Sequence, residues 1–314
     1  MTPILRTCLL AAGLALTAAP ASAADKLTVL LDWFVNPDHA PLVIAKEGGY
    51  FERHGLDVDI IAPADASAPP RLVAAGQADI AVTYQPDLML QVKEGLPLTR
   101  IGTLVETPLN ALIALKDGPI QKLEDLKGKK IGYSVASLQN AYIDSILASA
   151  GLTSKDVEMV NVNFNLSTSL MSGQVDAVID GYRNFELTQL AIEGKPGKAW
   201  FPEEHGVPPY DELIYVTRNE LRTDPRMARF IAAVEEATIF LTNHPDEALA
   251  LFLKAHPDLN DELNRKAFAD TLPRFAKRPA ALDPGRYDRF ALYLKERGLI
   301  DVVPPIDSYA IAPR

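Results

Sequence analysis

Two stretches of the chain carry the same pattern, and that recurrence constrains the fold more than any other feature. LVAAGQADIAVTY (72–84) and LMSGQVDAVIDGY (170–182) each read as the end of a helix, a glycine turn and a short apolar run closed by a tyrosine. Gly76-Gln77-x-Asp79 is matched by Gly173-Gln174-x-Asp176, and Tyr84 by Tyr182. Each tyrosine then leads into a helix that stops at a similar turn, Glu94-Gly95-Leu96-Pro97 or Glu193-Gly194-Lys195-Pro196. Glycine at a helix end tolerates the left-handed cap. A short apolar run suits a strand buried on both faces. Any two βα units share some of this punctuation. The match through turn, strand, tyrosine and next helix points to a structural repeat.

The other elements fit around these two units. KLTVLLDW is a strand, APLVIAKEGGYFERHG a helix ending at Gly55, and DVDIIAP a strand. KKIGYSV, AYIDSILASAG and VEMVNVN repeat the alternation in the second half. Strands alternating with helices predict parallel sheets with right-handed crossovers. NALIALKDG (110–118) and DELIYVTRN (211–219) stand where the chain crosses between halves. From Asp224 the sequence is mostly helical and is expected to pack on the first half. The fold class is therefore α/β, with two parallel-sheet lobes joined by two crossover strands and a cleft between. Lobe 1 is expected over 24–109 and 217–314, and lobe 2 over 110–216.

MTPILRTCLLAAGLALTAAPASA has one charge, Arg6, a short apolar stretch and an Ala21-Ser22-Ala23 ending. This is the pattern of a secretory signal peptide, with a mature chain beginning near Ala24 and a periplasmic location. The stretch is short for a bilayer span. Cys8, the one cysteine, falls inside it, so no disulfide or thiol nucleophile is expected in the mature chain. The formal charge is −10, or −11 once Arg6 is removed, with a pI near 5.1. An acidic chain without a basic run is a poor partner for nucleic acid or anionic membrane.

In open parallel sheets a ligand sits beyond the carboxyl ends of the strands. Three segments occupy that place: LDWFVNPDHAP (31–41), Tyr84-Gln85-Pro86 and Gly181-Tyr182-Arg183-Asn184-Phe185-Glu186. Residues costly to bury in a core are well placed on such loops. Trp33, Tyr84 and Tyr182 are candidate aromatic faces. Glu186, with Asp32 second, is the candidate carboxylate. Asn36, Asn110 and Asn184 are candidate amides that both donate and accept. His39 also has a place facing the cleft. Structural roles compete with each. Trp33 suits the core at a lobe edge, the tyrosines suit buried strand caps, and Asp38 suits a helix N-cap. Arg183 suits a partner for Glu186 or for an acid on the other lobe.

These segments, with AAGQADIAVTYQPDLML, EGLPLTRIGTL, LKGKKIGYSV, GYRNFEL and EEHGVPPYDELI, carry a resemblance across nearly the whole mature chain. It resembles the periplasmic substrate-binding proteins of ABC importers, specifically those for pyrimidine precursors of thiamine. D-W-F-x-N-P-D-H is the most specific segment; LKGKKIG and G-x-A-D-I-A are shared with sulfonate and nitrate binders. The resemblance implies the type II periplasmic-binding-protein fold and a monomer that needs no cofactor. It also implies an aminopyrimidine ligand, formylaminopyrimidine or hydroxymethylpyrimidine, and an inner-membrane permease as partner. An aminopyrimidine asks for aromatic faces and a carboxylate to receive its amine. Riboflavin or a flavin precursor is the alternative ligand, since a flat heteroaromatic suits the same residues.

Other chemistries find little support. The five histidines show no i, i+4 pair and no HExxH, so no metal site is expected. GxGxxG, GxxxxGK[ST] and GxSxG are absent. The family also resembles a fungal pyrimidine synthase that uses lysine-bound pyridoxal phosphate, a sacrificial histidine and a cysteine-rich segment. Aligned through AVTYQPD, the lysine's place falls to Thr83 and the histidine's to Asp87. The cysteine-rich place falls near DELIYV, which has no cysteine. Binding without turnover is the expectation. A sulfonate or nitrate would be repelled by Asp32 and Glu186.

Overall fold

A computed structural model describes residues 24–313, apart from the side chains of 137–140. The expected signal segment, with Cys8, lies outside them. Two five-stranded sheets follow one plan. The first contains β1 (Asp25–Leu30), β2 (Leu56–Ile61), β3 (Ile80–Thr83), β4 (Leu98–Val105) and β10 (Leu213–Arg218), in the order β2-β1-β3-β10-β4. The second contains β5 (Asn110–Leu115), β6 (Lys130–Tyr133), β7 (Glu158–Asn161), β8 (Ala177–Tyr182) and β9 (Gly197–Trp200), in the order β7-β6-β8-β5-β9.

Four of the five strands in each sheet run the same way, and the remaining one, β10 or β5, runs antiparallel to both its neighbours. The sheets are therefore mixed rather than wholly parallel. Their antiparallel members are the two apolar runs read as crossings, because a strand arriving from the other sheet enters from the opposite end. β10 pairs with the first sheet from Leu213 onward.

The recurrent motif performs the same work in both sheets. Asp79 accepts a hydrogen bond from the Thr28 N–H at 2.9 Å and donates its own N–H to the Thr28 carbonyl. Asp176 does the same with Lys130. Gly76 and Gly173, both at φ +75°, terminate the preceding helices in the left-handed region that glycine occupies without strain. The two carboxylates thus pin β3 to β1 and β8 to β6, which sets the register.

The helix expected over 40–55 is two pieces. A 3₁₀ turn at Pro37–His39 leads into α1 (Ala40–Glu47), and α2 (Tyr50–Arg53) follows a break at Gly48-Gly49. Then come α3 (Pro69–Ala74), α4 (Gln85–Lys93), α5 (Ala136–Ser149), α6 (Leu166–Ser172) and α7 (Glu186–Ile192). The helical tail comprises α8 (Pro225–Asn243), α9 (Pro245–Ala255), α10 (Glu262–Thr271) and α11 (Pro284–Glu296). α8 and α9 pack on α1. α10 and α11 also reach the second half. α10 packs on α7, and Tyr293 of α11 bonds the Ser145 hydroxyl and the Ala141 carbonyl of α5. Among the described residues no helix is long and apolar enough to cross a membrane.

Candidate functional site

Both sheets end at one narrow, shared slot. Asp32, Trp33, Asn36, Asp38 and His39 line it from the loop after β1, and Tyr84 from the end of β3. Asn110, Ser134, Val135, Asp180, Tyr182, Phe185 and Glu186 line it from the second sheet, with Leu213 at the second crossing. The repeat's two tyrosines therefore meet in one cavity. Eight of the nine residues singled out from the sequence lie in this lining.

The loop after β1 is held by its own polar groups. Asn36 Oδ1 accepts the Asp38 N–H at 2.8 Å, which caps the 3₁₀ turn, while Asn36 Nδ2 donates to the Phe34 carbonyl at 3.2 Å. His39 is fully buried. Its Nδ1 accepts the Asn36 N–H at 3.3 Å, leaving Nε2 to donate to Asp32 at 2.9 Å. The Tyr84 hydroxyl donates to the other oxygen of Asp32 at 2.9 Å. Asp32 is thus fixed by the His39 ring and the Tyr84 hydroxyl, and Tyr84 is both a wall of the slot and a structural donor.

Asn184, the ninth residue, stands behind the wall. Its amide donates to Asp38 Oδ1 at 2.6 Å and to the Thr271 hydroxyl at 2.7 Å, and Thr271 donates to the same Asp38 oxygen at 2.8 Å. Asp38 is therefore no helix cap; Asn36 takes that role. Asp38 instead faces the slot, joined to α10 and to the loop before α7. Burial pushes its carboxyl up to about 6, against the lowering effects of Thr271, His39 and Asn184. Arg183 does not pair with Glu186. It forms a two-pronged ion pair with Glu203 at 2.7 and 3.0 Å, reaches the Leu109 and Asn110 carbonyls, and lies over Phe201.

Asp180 was not legible as a site residue. β8 carries an extra residue relative to β5, a bulge that leaves Asp180 at φ +69°. Bulges beside sites re-aim side chains. Here the turn directs the carboxylate to the Ser134 and Val135 N–H groups ahead of α5, at 3.0 and 3.1 Å, and to Asn110 Nδ2 at 3.3 Å. Desolvation by burial raises its pKa over the opposing hydrogen bonds. Glu186 opens α7 and accepts the Tyr182 N–H at 2.7 Å. Burial first, then Asp38 and Asp180 nearby, push it up to about 7 against its backbone hydrogen bonds.

Aromatic rings close the slot across the two halves. Trp33 meets Phe164 edge-on with centroids 4.6 Å apart, and Phe34 meets Phe185 at 6.0 Å. At the crossing behind the slot, Glu212 accepts the Leu109 and Asn110 N–H groups at 2.5 and 3.0 Å and the Tyr210 hydroxyl at 3.1 Å. One crossing segment thereby grips the start of the other.

Mixed sheets of this strand order, with paired crossings and a slot at their shared end, define the type II periplasmic-binding-protein fold. The structure matches the alkanesulfonate-binding protein SsuA from Xanthomonas axonopodis bound to MOPS with a TM-score of 0.72. The identity is 15%, over 91% of this chain and 96% of that one. The chain belongs to the NMT1/THI5 like family, whose profile matches residues 36–248. A Haemophilus influenzae protein named as a thiamine biosynthesis protein is 48% identical over 99% of both chains. The formylaminopyrimidine-binding protein of Halalkalibacterium halodurans is 32% identical over 82% of this chain and 78% of its own. Other relatives are named 4-amino-5-hydroxymethyl-2-methylpyrimidine phosphate synthases, among them one from Legionella pneumophila, 28% identical over 90% of both chains.

Proposed function

We propose that the chain binds an aminopyrimidine precursor of thiamine, formylaminopyrimidine or hydroxymethylpyrimidine, in the slot. It then delivers the ligand unaltered to the permease of an ABC importer. On this reading the protein is exported, loses residues 1–23 and works as a periplasmic monomer. Trp33, Tyr84 and Tyr182 flank the ring. Glu186 receives its amine, and Asn36, Asn110, Asp32 and His39 complete the polar wall, with Asn184 supporting Asp38 from behind.

The observation that carries this reading is the lining itself: aromatic faces, two amides and four carboxyl groups, with no lysine or arginine. Such a wall disfavours sulfonate or nitrate and suits a flat ligand rich in N–H donors. The name of the relative from H. halodurans agrees with it. Against turnover stand Thr83 and Asp87, the places of the synthase's lysine and histidine. Both are buried, and the Thr83 hydroxyl donates to Asp87 at 3.2 Å, as does Gln91 at 2.7 Å.

Calorimetric titration of ligand-stripped protein with both pyrimidines, and with riboflavin and taurine as controls, tests the proposal. Saturable binding of one pyrimidine with silent controls is expected. Heat from riboflavin alone would overturn the ligand while leaving the fold and the slot in place.

A further inference from the structure

The slot's four carboxyl groups are held by hydroxyl, imidazole, amide and backbone donors. Asp32 takes the Tyr84 hydroxyl and His39, and Asp38 takes Asn184 and Thr271. Asp180 takes two backbone N–H groups and Asn110, while Glu186 takes backbone N–H groups. The nearby cations are committed elsewhere. Arg183 pairs with Glu203, and Arg274 donates to Thr107 and the Pro108 carbonyl; neither lines the slot. His39 is the one basic group in the lining, and it already faces Asp32.

A second, separate observation concerns Asn110. This fully buried residue lines the slot, and its Oδ1 has no partner. Asp180 holds Nδ2, so the amide cannot flip without losing that bond. The free position is therefore an acceptor waiting for a donor. A buried acceptor left unpaired destabilises the empty slot, and a ligand N–H removes that cost.

We propose that the slot takes its ligand together with a proton, as a cationic heteroaromatic base whose protonated ring nitrogen and adjacent amine face Glu186. This deepens the pyrimidine reading and rests on it. One proton is shared between the carboxyl oxygen and the ring nitrogen in the complex, and no other bond is made or broken. The pair forms out of water and beside Asp38 and Asp180, whose charges repel a lone Glu186 carboxylate but attract the cation.

The proton count follows from the free states. A weakly basic aminopyrimidine is neutral above neutral pH, and Glu186, with its pKa pushed up to about 7 by burial, is ionised there. Above about pH 7 the complex must draw its proton from solvent, so affinity falls toward tenfold per pH unit. Below that pH Glu186 already holds the proton, and the dependence flattens.

The test is a titration of the full mature protein with formylaminopyrimidine and hydroxymethylpyrimidine, at about pH 6 to about pH 8.5, in buffers of differing ionisation heat. Proton uptake should rise from near zero toward one per ligand, and Kd should climb toward tenfold per pH unit at the alkaline end. Glu186→Gln should abolish the uptake in whatever binding remains. Tight binding without proton exchange at any pH would overturn the proposal and leave the pyrimidine reading standing. Uptake that persists in Glu186→Gln would equally overturn it. No binding of either pyrimidine would bring down the reading beneath it.

Discussion

Replacing Glu212 with glutamine separates the hydrogen bonding of the crossing from its charge. Glu212 is fully buried and accepts three hydrogen bonds through one oxygen, while its other oxygen has no partner. Desolvation raises its pKa from 4.5 to about 7, over the lowering effects of Leu109, Asn110, Tyr210 and Arg183. A folded-state pKa above the unfolded value means stability fully present below about pH 4.5, lost as pH rises, and gone above about pH 7. At 1.36 kcal/mol for each pH unit of that window, the change amounts to about 3 kcal/mol. Glutamine keeps an acceptor for Leu109 and Asn110 but places an N–H₂ where no partner exists, at a cost of about 1–3 kcal/mol. At about pH 5 the variant should therefore be the less stable protein, and by about pH 8 the difference should close or reverse. Urea unfolding of ligand-free wild type and variant across this range reads the crossover directly. Asp38 and Glu186 shift in the same direction but remain in both proteins, so the difference between the two curves isolates Glu212. Parallel curves would refute the argument that a buried, proton-holding carboxyl clamps the crossing.

Trp33→Ala removes one wall of the slot and its edge contact with Phe164. Ligand affinity should fall by about 0.5–1.5 kcal/mol, and an unchanged Kd by titration would return Trp33 to a structural role. Arg100→Met strips donors from the carbonyls of Pro279, Ala281 and Ile311 and from the Thr103 hydroxyl. Stability should fall by about 3 kcal/mol in urea unfolding, and a loss below about 1 kcal/mol would refute the bracing role. Gly102→Ala would drive a Cβ into Ile231 Cδ1 and to 3.2 Å from the Tyr215 ring. Overpacking of about 1–3 kcal/mol is expected, and an unchanged unfolding midpoint would contradict it.

Most of the architecture was legible because its signals are local. The Gly-Gln-x-Asp repeat announces a helix cap and a strand pin together, and both halves use it identically. β4 escaped notice because Thr99, Arg100 and Thr103 interrupt its apolar pattern. All eight of its residues are nevertheless buried, since the Arg100 guanidinium is satisfied by carbonyls from the tail and the 279–281 segment. No local pattern reveals partners 179 to 211 residues away. The same limit applies within the site. The loops after β1, β3 and β8 could be named because they follow recognisable strands. Asp180 could not, because its direction depends on a bulge created by pairing with β5. Asp38 looked like a cap because it precedes a helix, and only the approach of Asn184 and Thr271 gives it another role.

The most direct test of the central claim is a crystal structure of the mature protein grown with formylaminopyrimidine. The account predicts an intact pyrimidine in the slot, its ring against Trp33 and the two tyrosines, with N–H groups on Glu186 and Asn110 Oδ1. A ligand bound elsewhere, or a ring whose amine faces away from Glu186, would contradict it.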